Sequence, residues 1–136
     1  MIYTGEKLRE ISFPLGGIGS GCIGLRGNGR LADWEIFNRP SKGSINGYSH
    51  FAIRAKLGDG TVITRVLNGD IDKDLCGQYT KISNNGYGVG LSRLTMSGFP
   101  HFRDCTFKGE FPIAEITLRD DSFPGKAPTL KLLFIL

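Results

Sequence analysis

The sequence contains little cysteine, little histidine and no long apolar stretch. Its three cysteines, Cys22, Cys76 and Cys105, are widely spaced, and they form no metal-ligand spacing with the two histidines. We therefore expect reduced thiols and no structural zinc site. The longest apolar run, Leu132–Leu136, has five residues, far fewer than the roughly 20 of a membrane-spanning helix. Because the chain also opens without a signal-peptide pattern, we expect a cytoplasmic protein with no transmembrane segment.

The sequence also lacks a strong excess of one charge. Lys and Arg number 17 and Asp and Glu 13, which gives a net charge of +4 at neutral pH. The basic residues are scattered rather than gathered in one run, and this argues against a nucleic-acid-binding surface. Apolar residues make up 40% of the chain and charged residues 22%. Such a composition is typical of a globular protein and excludes wholesale disorder.

Glycine and proline, in contrast, are abundant: 20 and 6 of 136 residues, about 19% together against a usual share of roughly 12%. This frequency argues against a helical bundle and favours short strands joined by turns. Apolar residues alternate with polar ones in several segments, as in half-buried strands. The strand-like runs are 21–25, 32–36, 50–57, 61–67, 91–96, 102–108, 114–119 and 129–136. They predict one all-β domain over residues 1–136, an antiparallel β-sandwich.

Two motifs imitate cofactor or metal sites but lack the required context. Gly19–Gly24 satisfies the GxGxxG spacing, yet it runs into Leu25–Gly29, a poor beginning for the helix that binds a dinucleotide. Asp70–Asp74 starts like a calcium loop, but Leu75 and Lys81 occupy the positions of the required Gly and Glu. We therefore expect no cofactor and no metal, and we interpret residues 14–21 as a glycine-rich loop that leads into a strand.

Two carboxylates, Asp33 and Glu35, are two residues apart in a predicted strand, so both should lie on one face, with backbones roughly 6–7 Å apart. Glycoside hydrolysis requires two carboxyl groups, one as acid and one as nucleophile or base. The spacing alone favours a polar strand face instead, or an acidic pair bound to Arg39 or another basic group. Trp34 lies between them on the other face and is expected to fill the core. No Ser-His-Asp or Cys-His set can be assembled.

The string Asp33-Trp-Glu-Ile-Phe-Asn-Arg-Pro40 stands among four further segments in a fixed order: 10–21, 51–55 with 65–67, 98–103 and 106–116. Together they resemble the N-terminal domain of family 116 glycoside hydrolases, which include the non-lysosomal glucosylceramidases and microbial β-glucosidases. The resemblance implies a β-sandwich that accompanies a much longer α/α barrel. That barrel carries the nucleophile and the acid/base of a retaining mechanism with a covalent glycosyl intermediate.

From this resemblance we expect no catalytic residue in this chain and no activity of the chain alone. Its partner is expected to be the missing C-terminal catalytic domain, and a β-glucoside is expected to bind only to the full-length enzyme. Because the apolar run at residues 129–136 stops without a turn or polar cap, we also expect the sandwich to continue after Leu136.

The residues expected to contact the catalytic domain, or to form the rim of its site, lie in two segments. They are Gly16 and Gly17 in the glycine-rich loop, and Asp33, Glu35 and Arg39 in and after the polar strand. A competing expectation is that the carboxylates form ion pairs within the sandwich.

The alternative function is a stand-alone sandwich that binds carbohydrate or protein without catalysis. Pyranose rings stack their C–H faces on exposed aromatic side chains. For such a module the expected platform is Tyr48, Tyr79 and Tyr87, all of which lie in glycine-containing segments.

Overall fold

The computed structural model describes residues 1–17, 19–37, 39–46, 49–70, 98–121 and 129–135. These residues contain ten strands and one short 3₁₀ helix, Gly5–Glu10. The strands are β1 (Ile2–Tyr3), β2 (Ser12–Leu15), β3 (Cys22–Arg26), β4 (Leu31–Glu35), β5 (Ala52–Lys56), β6 (Val62–Gly69), β7 (His101–Phe102), β8 (Asp104–Glu110), β9 (Ile113–Arg119) and β10 (Thr129–Ile135).

Hydrogen bonding groups the strands into three sheets, with the orders β1-β8-β9-β10, β2-β3-β4 and β5-β6-β7. The pairs are antiparallel except for β6 and β7, which run parallel. A parallel pair needs a long connection rather than a tight hairpin, and residues 70–100 separate these two strands. The predicted all-β, antiparallel, sandwich-like architecture is confirmed, with this one parallel pair as an exception.

A single core joins the three sheets. Strands β8 and β9 alternate strictly, so that one face of their sheet is apolar and buried. Residues of the other two sheets and of the 3₁₀ helix pack against that face. The buried cluster is Leu8, Leu25, Ile63, Leu67, Phe102, Cys105, Phe107, Ala114, Ile116 and Leu118. Because burying each large apolar side chain contributes roughly 1.5–3 kcal/mol, this cluster is the main source of stability among the described residues.

The predicted strands agree with the observed ones to within two residues wherever the structure describes them, and the run at 91–96 lies outside the described residues. Strand β2 is not predicted, because Pro14 and the glycines that follow read as a loop. Pro14 is tolerated because β2 lies at the edge of its sheet, where a missing N–H leaves no partner unsatisfied.

Strand β4 contains a β-bulge. The register pairs residues on either side of the irregularity, Cys22 with Glu35 and Gly24 with Ala32. Two residues, Asp33 and Trp34, therefore lie opposite the single residue Ile23. Asp33 takes the left-handed conformation, with φ of 52°, and is buried, at 2% exposure. Trp34 is only half-buried and lies outside the core cluster. The expectation that Trp34 fills the core is therefore wrong, because the bulge breaks the alternation on which it depended.

Candidate functional site

Asp33 lies at the centre of a buried polar cluster. Its Oδ2 accepts hydrogen bonds from Ser12 Oγ at 2.6 Å and from Arg26 Nη1 at 3.1 Å. Its Oδ1 accepts one from the N–H of Gly43 at 2.7 Å. Gly24 leaves the space that this cluster needs, since a Cβ there would lie 2.5 Å from Ser12 Oγ and 2.6 Å from Asp33 Oδ2. One carboxylate therefore joins β2, β3 and the segment after β4.

These contacts keep Asp33 ionised. Burial by itself raises the pKa of this carboxyl group. The hydrogen bonds from Ser12 and Gly43 and the charge of Arg26 outweigh burial, so that the net pKa lies below the ordinary value. A general acid needs the opposite, a carboxyl group whose pKa is raised. Asp33 is therefore unsuited to donate a proton at neutral pH.

Glu35 is held by a second set of contacts. Its Oε1 accepts a hydrogen bond from the N–H of Ser41 at 3.2 Å, and its Oε2 pairs with Lys42 Nζ at 3.0 Å. Burial raises the pKa of Glu35, but the bonds from Lys42 and Ser41 outweigh it and the net pKa is lowered. The Cys22 thiol lies 3.6 Å from Glu35 Oε2. Burial and the negative charge of Glu35 raise the pKa of Cys22, so this thiol is a poor nucleophile.

The two carboxylates fasten the segment Ser41–Ser44 to β4. Backbone contacts complete the attachment, because Asp33 N–H donates to the Ser44 carbonyl at 2.9 Å and Trp34 N–H donates to Ser44 Oγ at 2.8 Å. We name these contacts of Asp33, Trp34 and Glu35 with Ser41–Ser44 the β4 clasp. Between its two ends the chain forms an exposed loop that includes Ile36, Phe37, Arg39 and Pro40.

An open groove of about 590 Å³ lies between this exposed loop and the glycine-rich loop. Its lining residues are Gly17, Gly19, Ser20, Gly21, Cys22, Glu35, Ile36, Arg39 and Pro40. Gly21 has a φ of 81°, and a Cβ there would collide with the Glu35 carbonyl oxygen and lie 2.8 Å from the Ile36 Cα. The close approach of the two walls therefore requires glycine at this position.

The structure brings three of the five expected contact residues to the groove: Gly17, Glu35 and Arg39. Gly16 is next to Gly17 in the chain but does not line the groove. A Cβ at Gly16 would collide with the Gly21 carbonyl oxygen. Asp33 is absent from the groove lining, because its side chain is buried.

The acidic residues find basic partners other than Arg39. Asp33 pairs with Arg26, and Glu35 pairs with Lys42, so both carboxylates form ion pairs within the domain. Arg39 is exposed and forms no hydrogen bond or ion pair with any residue that the structure describes.

Sequence reasoning did not single out Ser12, Arg26 or Lys42 as partners of the carboxylates. Lys42 lies close by in the chain, but Ser12 is 21 residues from Asp33, and only the strand register brings the two together. The expected tyrosine platform of Tyr48, Tyr79 and Tyr87 lies outside the described residues.

A second groove, of about 560 Å³, lies where β1 and β8 approach β2. The rings of Tyr3 and Phe13 pack at tilted angles against Phe107, with centroid distances of 6.4 and 6.1 Å. Phe111, which also lines this groove, is 82% exposed. Lys7, Glu10 and Ser12 add polar groups to the lining. We name this site the aromatic groove. It combines rings with hydrogen-bonding groups, as sites for small polar-apolar ligands do.

Within the ranges that the structure describes, no group of three or more His, Cys, Asp or Glu side chains is arranged to hold a metal ion. No helix in the same ranges has the length and apolar character needed to cross a membrane.

The family described as beta-glucosidase 2, glycosyl-hydrolase family 116 N-term, matches residues 12–130. This range includes the β4 clasp and the groove beside it. None of the curated proteins compared with the chain matches it.

Proposed function

The chain belongs to the glycosyl-hydrolase family 116 N-terminal domain family, and on that basis we propose that it serves as the non-catalytic sandwich of a retaining β-glucosidase of the glucosylceramidase-like type. In this role it binds the catalytic domain that carries the acid/base and nucleophile. A β-glucoside then binds to the complete enzyme and not to this chain alone. The observation that carries the proposal is the engagement of both Asp33 and Glu35 in internal ion pairs.

The electrostatics of these carboxylates support a non-catalytic role. A glycosidase needs one carboxyl group that is protonated before attack, with a raised pKa, beside a second that is ionised. In this chain the pKa values of Asp33 and Glu35 are both lowered. The pair therefore offers two anions and no acid. Asp33 is also buried, so a substrate cannot reach it without disrupting the fold.

The groove beside the β4 clasp is the surface that we assign to the interdomain contact. It presents Glu35 and Arg39 next to the backbone of the glycine-rich loop, with Gly17 in its lining. Gly16 leaves room for the Gly21 carbonyl oxygen within the glycine-rich loop. The buried Asp33 side chain holds the segment after β4 through the Gly43 N–H. Polar groups beside bare backbone can pair with a facing protein surface, as at other inter-domain contacts within one chain.

The proposal is tested by adding the purified chain to a separately expressed catalytic domain of a family 116 β-glucosidase. Isothermal titration calorimetry is expected to detect a complex, and an unrelated β-sandwich of similar size serves as the control. The chain alone is expected to leave an aryl β-glucoside unhydrolysed. Hydrolysis by the chain alone, abolished in Asp33→Asn and Glu35→Gln variants, would overturn the non-catalytic assignment.

A second candidate function, a stand-alone sugar-binding module, draws support from the aromatic groove. Tyr3, half-buried, and Phe111, exposed, offer ring faces to a pyranose, and Lys7 and Glu10 offer partners for its hydroxyls. Titration with methyl β-glucoside, cellobiose and glucose, followed by intrinsic fluorescence, discriminates the two functions. Saturable binding that Phe111→Ala abolishes and Phe37→Ala preserves favours the module. No fluorescence change at any sugar concentration removes this candidate.

A further inference from the structure

Three apolar side chains at the edge of the β4 clasp are exposed together. Phe37 is 73% exposed, Ile36 42% and Ile45 45%. All three line one pocket of about 290 Å³, together with Trp34 and Arg39. Single exposed apolar residues are normal on a protein surface, but a group of them around one concavity marks an interaction site. The pocket is large enough for a single large side chain of a partner.

The surface patch formed by Ile36, Phe37, Ile45 and Arg39 carries a positive charge. The two nearby carboxylates are neutralised within the domain, Asp33 by Arg26 and Glu35 by Lys42. Arg39, in contrast, has no ion-pair partner among the residues that the structure describes, and it lines both the pocket and the adjoining groove. Complementary potentials across an interface place a negative group opposite such a cation. The partner surface should therefore carry a carboxylate opposite Arg39.

The patch is also held in place before any partner arrives. The β4 clasp fixes both ends of the exposed loop through the carboxylates of Asp33 and Glu35 and the backbone of Ser41–Ser44. Ordering a loop during association costs free energy that subtracts from affinity. Fixing the two ends in advance lowers that cost. Arginine is among the side chains most often found at the energetic centre of protein interfaces, and phenylalanine is enriched in interfaces.

We propose that Phe37 and Arg39 form the central contact through which this chain binds the catalytic domain of its enzyme. The matching surface is an apolar socket bordered by at least one carboxylate. Phe37 inserts into the socket, and Arg39 pairs with the carboxylate. Asp33 and Glu35 are positioning residues in this arrangement, because their carboxylates hold the loop through contacts within the domain. The inference rests on the proposed function and names the partner chemistry of the same surface.

The test measures the dissociation constant of the chain for a separately expressed family 116 catalytic domain. Phe37→Ala and Arg39→Glu are each expected to weaken binding at least tenfold, as central contact residues do. The controls are Ile135→Ala, which removes an apolar side chain that is 74% exposed, and Arg119→Glu, which reverses an exposed arginine on β9. Both controls are expected to bind within twofold of the wild type. Because all four side chains are exposed, melting temperatures should be similar.

The dependence of the dissociation constant on salt distinguishes the contribution of Arg39 from that of Phe37. The loss caused by Arg39→Glu is expected to shrink at high ionic strength, because screening weakens an exposed ion pair. The loss caused by Phe37→Ala is expected to persist. Glu35→Gln is expected to weaken binding as well, and to speed hydrogen exchange at the Ser41 N–H, a readout that a direct contact alone would leave unchanged.

The outcomes discriminate between this inference and the proposed function. If the wild-type chain binds and neither Phe37→Ala nor Arg39→Glu weakens binding, the contact lies elsewhere and the inference is wrong, while the proposed function stands. If the Ile135 or Arg119 control weakens binding instead, the interface is on another face and the inference is again wrong. If the wild-type chain does not bind the catalytic domain, both fail.

Discussion

The guanidinium of Arg26 and the carboxylate of Asp33 form an ion pair of 3.1 Å between Nη1 and Oδ2, with side chains only 8% and 3% exposed. Moving two charges out of water is costly, and their attraction compensates only while both remain and are hydrogen-bonded. Asp33 meets that condition through Ser12 and Gly43. The pair thereby connects the interior of the domain to the exposed loop that we assign to partner binding.

Removing Asp33 is expected to destabilise the fold strongly. Asp33→Ala leaves the charge of Arg26 buried beside the cavity that the carboxylate vacates, and breaking a buried pair in this way costs about 3–5 kcal/mol. Urea denaturation measures the free energy of unfolding. The control is Lys108→Ala, which breaks a pair whose side chains are 47% and 72% exposed and is expected to cost about 0–1 kcal/mol. Equal losses in the two variants would show that burial is irrelevant to the Arg26–Asp33 pair.

Stability is expected to fall in acid because of the clasp carboxylates. The pKa values of Asp33 and Glu35 are lowered in the folded chain from ordinary values of 3.8 and 4.5. The unfolded chain therefore takes up protons at higher pH than the folded chain does. The stability contributed by these groups is complete at pH values above the pKa values of the unfolded chain. It begins to decline as the pH drops below 4.5, and it is lost as the pH falls through the pKa values of the folded chain.

Denaturation midpoints measured from neutral pH to below pH 4 test this dependence. Asp33→Asn is expected to have a lower midpoint at neutral pH and a shallower decline in acid, since one of the two carboxylates no longer titrates. A wild-type slope in that variant would contradict the assignment of the acid transition to Asp33.

Substitutions at two glycines of the glycine-rich loop measure the cost of backbone strain apart from the cost of steric collision. Gly19 and Gly21 have φ values of 78° and 81°, but a Cβ at Gly19 would meet nothing within 4 Å, whereas one at Gly21 would collide with the backbone of Glu35 and Ile36. Gly19→Ala is expected to cost about 1–3 kcal/mol from the left-handed conformation alone. Gly21→Ala adds overpacking of roughly 1–3 kcal/mol. Thermal denaturation of both variants measures the difference, and equal losses would mean that the groove walls separate freely.

The buried thiol of Cys105 is expected to resist alkylation. Burial, aided by the negative charges of Asp104 and Asp70, raises its pKa to about 12, so almost no thiolate exists at pH 8. Iodoacetamide treatment of the native chain followed by peptide mass mapping should leave Cys105 unmodified, and the same treatment in denaturant should modify it. Cys22, half-buried at the groove, is expected to react faster than Cys105. Rapid native modification of Cys105 would contradict its place in the core.

Regular alternation of apolar and polar residues made much of the fold predictable. In β8 and β9 the buried residues Phe107, Ile116 and Leu118 recur at every second position, so the strands and their inward faces follow directly from period two. The same rule failed at Asp33, because a bulge adds one residue without any mark in the local pattern. Alternation there predicted a buried Trp34, whereas the structure buries the neighbouring aspartate.

The partners of the site residues were harder to predict than the residues themselves. The chain offers many basic residues to Asp33, and only the register of β2, β3 and β4 selects Ser12 and Arg26. Arg39, the partner that the sequence analysis named for the acidic pair, is left at the surface. Sequence resemblance, in contrast, identified the family, because five segments, among them the string Asp33–Pro40, match it in a fixed order.

The β4 clasp also bears on how such a surface can change over time. Its contacts use the carboxylates of Asp33 and Glu35, the side chain of Lys42 and the backbone of Ser41–Ser44. The side chains of Ile36, Phe37 and Arg39 take no part in it. Substitutions at these three positions can therefore accumulate with little loss of stability. The residues that hold the loop are thus distinct from those that it exposes, so the exposed side chains can be exchanged without redesign of the core.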